Sequence, residues 1–288
     1  MLEPGLYVVA TPIGNLSDIT YRAVDVLSQA NYIAAEDTRH SKILLDHYNI
    51  ATKLFSVHDF NEQAKQEHVK SLIEEGNSVA LISDAGTPLI SDPGYHLVAY
   101  LRASGVKVYP VPGPCACISA LCASGLPTDR FIFCGFLPVK DKALKDELAR
   151  HVLEEATVVY YESPRRVVDT LEAVCSVLGG DRRIVIAREL TKKFEQFLDA
   201  TAAEMLNFFK DSPASLKGEF VLLIAGVKKV AADVSPEAGK AMRLLSAKMS
   251  LKDAAAVCAE IFGAKKNALY QFGLEHIEQV KDGRSADD

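Results

Sequence analysis

Asp84 stands at the mouth of a loop built from small residues, Ser83-Asp84-Ala85-Gly86-Thr87-Pro88, which follows the apolar run Val79–Ile82. Small side chains let the backbone approach a bound molecule and leave its N–H groups exposed to it. Asp92-Pro93-Gly94 then turns the chain into an apolar helix carrying Leu97, Val98 and Leu101. Strand, loop and helix in that order place a ligand beyond the carboxyl end of a sheet. Two further small-residue stretches, Thr11–Asn15 and Cys117–Leu121, are suited to lining the same cleft. Charged clusters follow other strand-like runs: Glu36-Asp37-Thr38-Arg39, Glu162 with Arg165, and Arg188-Glu189 with Lys192. Taken singly, each cluster is more often a structural ion pair than a catalytic group. Together they suit a ligand bearing both carboxylate and ammonium, with arginines for phosphates.

Several familiar chemistries have no sequence support. There is no G-x-x-x-x-G-K-[ST], no G-x-G-x-x-G and no G-x-S-x-G. These absences argue against a P-loop nucleotidase, a dinucleotide fold with the usual glycine fingerprint, and a serine hydrolase with a nucleophile elbow. The seven histidines do not fall at metal-ligand spacing, so no zinc site is expected; His58 and His68 are read as solvated.

The elements that must position these groups alternate. Strands are expected at Leu6–Ala10, Tyr32–Ala35, Lys53–Val57, Val79–Ile82 and Val106–Tyr109. Helices lie between them, the third capped by Asn61 and stopped at Gly76. That alternation implies a mostly parallel sheet covered on both faces. Pro110–Pro114 is the boundary candidate. A second series of similar layout follows: helix Cys115–Ser124, strand Phe131–Phe136, strand Thr157–Tyr161, helix Val167–Leu178 and strand Ile184–Ala187. Phe194–Leu198 and Phe220–Ala225 read as a further pair around a helix carrying Met205 and Phe209. Lys228–Pro236 is a linker. Three helical patterns follow it, Ala238–Ala247, Leu251–Phe262 and Lys265–Ile277, in a helix-turn-helix outline, with Ser250 and Asp253 as a capping pair. The tail from Gly283 is expected to be disordered.

With 288 residues the chain has room for two ordinary domains and a smaller piece. Its net charge of −6 argues against a bulk polyanion binder, so nucleic-acid contact requires a local basic patch. From Lys248 to Asp282 five lysines match five acids, too balanced for an ordinary DNA-reading helix. Six cysteines without a C-x-x-C read as free thiols in a reducing compartment, and no leader precedes Leu6; a cytoplasmic protein is expected.

Ala10 to Thr20 resembles the opening of the bacterial 16S rRNA (cytidine-2′-O)-methyltransferases, the ribosomal small subunit methyltransferase I family of the tetrapyrrole methylase superfamily. The same resemblance continues in Ala34–Arg39, Ser83–Tyr95, Pro112–Pro114, Tyr161–Pro164, Ala187–Lys192 and Lys265–Tyr270. It implies an α/β class: two α/β domains of tetrapyrrole-methylase type, residues 1–112 and 113–228, with a cofactor cleft between them. A small helical piece, 235–280, completes the chain. It further implies S-adenosylmethionine as cofactor, 16S rRNA in the decoding centre of the small ribosomal subunit as partner, and a homodimer. Carried onto this chain, the cofactor residues are Pro12 and Gly14, then Asp84, Ala85, Gly86 and Thr87, then Ile90 and Ser91. Ser119 and Ala120, Tyr161 and Glu162, Ala187 and Gly218 complete the set. A ribose hydroxyl must lose a proton during transfer, for which Glu36, Asp37, Glu62 and His58 are the candidates. Arg39, Arg165, Arg188 and Lys192 are assigned to flanking phosphates. Two other readings remain: a methylase of this fold acting on a small molecule such as a tetrapyrrole, and a non-enzymatic nucleic-acid-binding protein.

Overall fold

The computed structural model describes residues 2–58, 62–227 and 234–278. The expected Asn61 cap, residues 228–233 of the linker and the tail lie outside the described residues. Five strands, β1 (Gly5–Val9), β2 (Tyr32–Ala35), β3 (Lys53–Ser56), β4 (Ser78–Ile82) and β5 (Val108–Val111), form one sheet in the order β3-β2-β4-β1-β5. Every pairing in it is parallel. Helices α1 (Tyr21–Gln29) and α2 (Thr38–His47) pack on one face, where Val26, Leu27 and Leu45 meet Val9, Ile33 and Ile82. Helices α3 (Glu62–Glu74) and α4 (Tyr95–Ala103) pack on the other, where Val69, Leu97 and Leu101 meet Leu6, Ala34 and Leu81. Coverage on both sides explains the unbroken apolar runs, and β4 is buried at every position.

The strand order reverses between β1 and β4. The connection leaving β1 travels to β2 on the far side of β4, and the one leaving β4 travels to β5 on the far side of β1. Their loops therefore part at the carboxyl ends of two adjacent strands, which is where such sheets open a crevice. The fifth strand lies two residues later than expected and contains Pro110. It is an edge strand bonded only to β1, so a proline there forfeits no ladder bond.

The second sheet has the order β6-β7-β10-β8-β9, from β6 (Phe131–Phe136), β7 (Thr157–Glu162), β8 (Arg183–Arg188), β9 (Gln196–Thr201) and β10 (Phe220–Ile224). Here the likeness in layout between the halves ends, because only β6 and β7 run parallel. The expected pairing of the last two strands is also corrected. The last strand inserts between β7 and β8, antiparallel to both, while β9 pairs with β8 at the edge. Burial explains this: Phe220-Val221-Leu222-Leu223-Ile224 is buried throughout and needs neighbours on both sides, whereas β9 carries the exposed Asp199. Helices α6 (Asp141–Ala149), α7 (Val167–Leu178) and α8 (Ala202–Asp211) cover one face around Leu148, Leu171 and Phe209. The other face carries α5 (Ala116–Ala123), through Cys117, Ala120 and Leu121.

Three helices, α9 (Pro236–Ser246), α10 (Leu251–Phe262) and α11 (Lys266–Gly273), close around Met242, Cys258, Leu269 and Phe272. Ser250 caps α10 by accepting the Asp253 N–H at 3.1 Å, and Gly263 ends it in a left-handed conformation. The last helix is shorter than expected; beyond Gly273 the chain widens into a π turn, Leu274–Glu278. No helix among the described residues is long and apolar enough to cross a membrane.

Candidate functional site

At the switch point the loops after β1 and β4 are fastened together. Thr11 N–H donates to the Gly86 carbonyl at 2.8 Å, and Gly86 N–H returns a bond to the Thr11 carbonyl at 3.0 Å. Gly86 holds φ +81°, and a Cβ there would lie 3.3 Å from the Ile13 side chain, so the position requires glycine. Thr87 donates to the Pro114 carbonyl at 2.9 Å, tying the same loop to the segment entering the second half. Leu89 and Ser91 in this loop, and Glu189 and Thr191 in the loop after β8, hold positive φ without being glycine. Such strain persists only where surrounding contacts enforce it.

These loops face the second sheet across a cleft of about 200 Å³. Ile13, Ala85, Gly86, Thr87, Ile90 and Asp92 form one wall, and Phe136, Tyr161, Glu162, Leu190 and Glu219–Val221 form the other. Cys115 and Ala116 sit at the join. Among the described residues lining it, Asp92, Glu162 and Glu219 carry charge and none is lysine or arginine. The lining is apolar over most of its walls and carries carboxylates rather than cations, although Lys192 pairs with Glu219 and Arg166 approaches Glu162 from outside it. That combination suits a cationic ligand with a flat apolar part better than a phosphate.

Of the residues the sequence assigned to a cofactor, Ala85, Gly86, Thr87, Ile90, Tyr161 and Glu162 line the cleft. Pro12 and Gly14 flank its Ile13, and Gly14 is packed beneath Lys192, whose Cγ would be 2.6 Å from any Cβ. Ser91 meets the second half at Gly135. Asp84 turns aside: its Oδ1 accepts the Asp37 N–H at 3.1 Å and its own N–H points to Glu36 Oε2 at 3.4 Å, while Asp92 supplies the cleft carboxylate. In α5 the cleft side is Cys115 and Ala116, whereas Ala120 is fully buried in the core and Ser119 lies outside the lining. Ala187 is likewise buried, with Leu190 in its place, and Gly218 packs on Glu189 beside the lining Glu219.

The proton-acceptor candidates separate by their partners. Glu62 is buried and accepts the Leu97 N–H at 2.6 Å, which caps the first turn of α4. Asp37 caps α2 through the Arg39 N–H and binds the Arg39 guanidinium at 3.1 and 2.6 Å; these bonds hold its carboxyl far below the usual range. Glu36 and His58 sit at the carboxyl ends of β2 and β3, on the same edge of the sheet as the cleft.

The phosphate candidates also differ among themselves. Arg39 and Arg165 are exposed, and Arg188 donates to the Lys217 carbonyl at 2.8 Å. Lys192, expected at a phosphate, instead bridges Glu189 at 2.9 Å and Glu219 at 2.8 Å. The Glu162–Arg165 pair is corrected as well. Glu162 accepts from Ser163 N–H and Thr170, with Arg166 at 3.7 Å, because residue 166 shares its side of the turn. Tyr161 accepts the Cys117 N–H at 3.2 Å, and burial raises its pKa, keeping the phenol neutral. Behind the sheet, Cys134, Glu147 and His151 bring potential ligand atoms within 4.8 Å of one another, a grouping that sequence spacing concealed because β6, α6 and the turn after α6 supply it jointly. Glu147 is already held there by Arg150 at 2.7 Å and by the Tyr160 hydroxyl at 3.4 Å.

Residues 5–206 match the family described as Tetrapyrrole (Corrin/Porphyrin) Methylases, and residues 232–276 match the RsmI C-terminal HTH domain. The chain is 51% identical to a Ribosomal RNA small subunit methyltransferase I of Haemophilus influenzae, covering 95% of this chain and 98% of that protein. A protein of that name in Escherichia coli O157:H7 is 51% identical, covering 94% of each chain. Among solved structures, uroporphyrin-III-C-methyltransferase from Thermus thermophilus matches with a TM-score of 0.53 at 18% identity, over 77% of this chain and 94% of that one. The methyltransferase CobJ matches with a TM-score of 0.58 at 18% identity, with the same coverage. Those two likenesses establish the fold.

Proposed function

This chain belongs to the tetrapyrrole methylase family and to its ribosomal RNA small subunit methyltransferase I branch, and from that membership we propose its reaction. It transfers a methyl group from S-adenosylmethionine to the 2′-hydroxyl of a cytidine in the decoding centre of 16S rRNA, on the assembled small subunit. Near-full-length similarity, including the helical C-terminal piece, carries this reading. We further propose that residues 1–112, 113–228 and 235–280 are its structural units, that it works as a homodimer, and that it resides in the cytoplasm.

The cleft fits the methyl donor. A sulfonium with an ammonium group is cationic, and the lining supplies the carboxylates Asp92, Glu162 and Glu219, of which Glu219 also bonds Lys192 and Glu162 lies 3.7 Å from Arg166. Ala85 and Gly86 leave room for close approach of the main chain, and Ile13, Ile90 and Leu190 offer apolar surface for a flat ring. When bound, the donor supplies an electrophilic methyl group. The protein's own work is alignment, because a displacement needs the attacking oxygen held in line within near-attack distance. The fastened loops at Thr11 and Gly86 give a rigid base for that alignment.

Glu36 is the proposed proton acceptor. Glu62 is committed to the first turn of α4 and Asp37 to Arg39, whereas Glu36 bonds the cleft loop itself. Glu36 reaches the Asp84 N–H, within the loop that goes on to line the cleft. Arg165 and Arg39, the latter bonded to Asp37, are exposed, as contact with phosphates requires, which is compatible with a net negative chain that reads a shaped particle.

Calorimetric titration with S-adenosylmethionine, followed by transfer assays on deproteinised 16S rRNA and on purified small subunits, tests the reading. Binding of the donor and ribose methylation of subunits are the expected results. No heat on titration, or methylation of neither RNA form, would overturn it.

A further inference from the structure

Strand β6 contains a bulge at the point where it reaches the cleft. Its register with β7 runs Phe131 to Thr157, Ile132 to Val158 and Phe133 to Val159, and then Phe136 to Tyr161. Three residues on one strand thus span two on the other. In a regular strand, residues three apart point to opposite faces. The extra residue cancels that alternation. Phe133 and Phe136 share a face, and both rings meet the Tyr161 ring edge-on, at 4.9 and 5.6 Å. Cys134, between them, packs on the opposite face.

The bulge is enforced from both halves of the molecule. Gly135 holds φ +67°, and a Cβ there would lie 2.9 Å from Ser91 Oγ, in the strained loop after β4. Bulges are uncommon in parallel pairs and often re-aim a side chain beside a site. The side chain re-aimed here is Phe136. It lines the cleft yet stays 60% exposed, an unfavourable position for a phenyl ring unless something covers it.

We propose that Phe136 is the stacking platform for the nucleobase of the nucleotide being methylated. The inference rests on the ribose-methylation reading given above. A ribose hydroxyl that enters the cleft must bring its base to the cleft mouth, out of its own helical stack. An unstacked base is best received on an aromatic face. Tyr161, itself packed edge-on by Phe133, meets the Phe136 ring edge-on and limits its orientation.

The test compares wild-type protein with Phe136→Ala, Phe136→Leu and Phe136→Trp. Donor affinity is measured by calorimetry, KM and kcat on purified small subunits, oligomeric state by sedimentation, and folding by thermal melting. The exposed position should leave melting unchanged. Alanine and leucine should each lower kcat/KM for subunits by roughly tenfold or more, with donor affinity held within about twofold, and tryptophan should retain activity. Full activity of the leucine variant would overturn the platform, since apolar bulk without a flat face would suffice. Donor affinity falling in parallel with transfer would place Phe136 in the donor site, and a change of oligomeric state would place it between copies of the chain; either overturns the proposal. Inactivity of the wild-type protein itself on subunits would instead remove the underlying methylation reading, a separate outcome.

Discussion

The Glu62 carboxylate accepts the Leu97 N–H at 2.6 Å, joining the first residue of α3 to the first turn of α4 across 35 positions of sequence. The residue that would normally cap α4, Gly94, has no side chain to do so. Anionic groups are favoured at a helix N-terminus, where backbone N–H groups lack partners. Glu62→Ala should therefore destabilise the protein by about 1–3 kcal/mol, read as a lower urea midpoint. Transfer per folded molecule should be retained; its loss at unchanged stability would return Glu62 to the catalytic candidates.

Glu36→Gln keeps the shape of the side chain but removes its basicity. If Glu36 takes the ribose proton, kcat should fall by roughly 10²- to 10⁴-fold while the dissociation constant of the methyl donor holds. Single-turnover assays with donor affinity measured alongside separate the two effects. Unchanged transfer would shift the assignment to His58.

Lys192 clasps Glu189 and Glu219 beside the cleft, with its stem over Gly14. Burial opposes the charged form of both Lys192 and Glu189, but their mutual bonds and those to Glu219 prevail, so the lysine is raised above 10.5 and Glu189 lowered below 4.5. A lowered carboxylate contributes stability above its unfolded pKa, and that contribution is lost as pH falls through the folded value. A raised lysine contributes below its unfolded pKa, and loses it as pH rises through the folded value. The stability gap between wild type and Lys192→Met should be about 1 kcal/mol and flat between these limits, shrinking below 4.5 and above 10.5. Denaturant midpoints across that pH range check the shape.

Thiol reactivity should be sharply graded. Cys122 is exposed, whereas burial pushes the Cys117 thiol up to about 12 and raises those of Cys134, Cys175 and Cys258. A disulfide reagent at mildly alkaline pH should modify Cys122 first, and Cys122→Ser should abolish that phase. Cys115, in the cleft wall, should react later and be shielded by S-adenosylmethionine. Shielding of Cys122 alone would contradict the position of the donor.

Much of the architecture was legible because it is written locally. Tyr32–Ala35, Phe131–Phe136, Val167–Leu178 and Leu251–Phe262 are elements at the bounds the pattern indicates. The small-residue loop Asp84–Thr87 supplies three residues of the cleft, as its composition suggests. The partners of charged groups were less legible. Glu62 and Lys192 look like ordinary charges on a helix or loop, yet they reach Leu97 and Glu219, groups that only packing brings near.

Sequence by itself determined the kinds of element, their order and the loops that end them, since apolar period and turn chemistry act over a few residues. Tertiary structure decided which strands became neighbours, placing Phe220–Ile224 in the middle of its sheet, and which side chains entered the cleft. Those choices depend on pairing between remote segments. A single inserted residue at Gly135 is enough to turn Phe136 from one face of the sheet to the other.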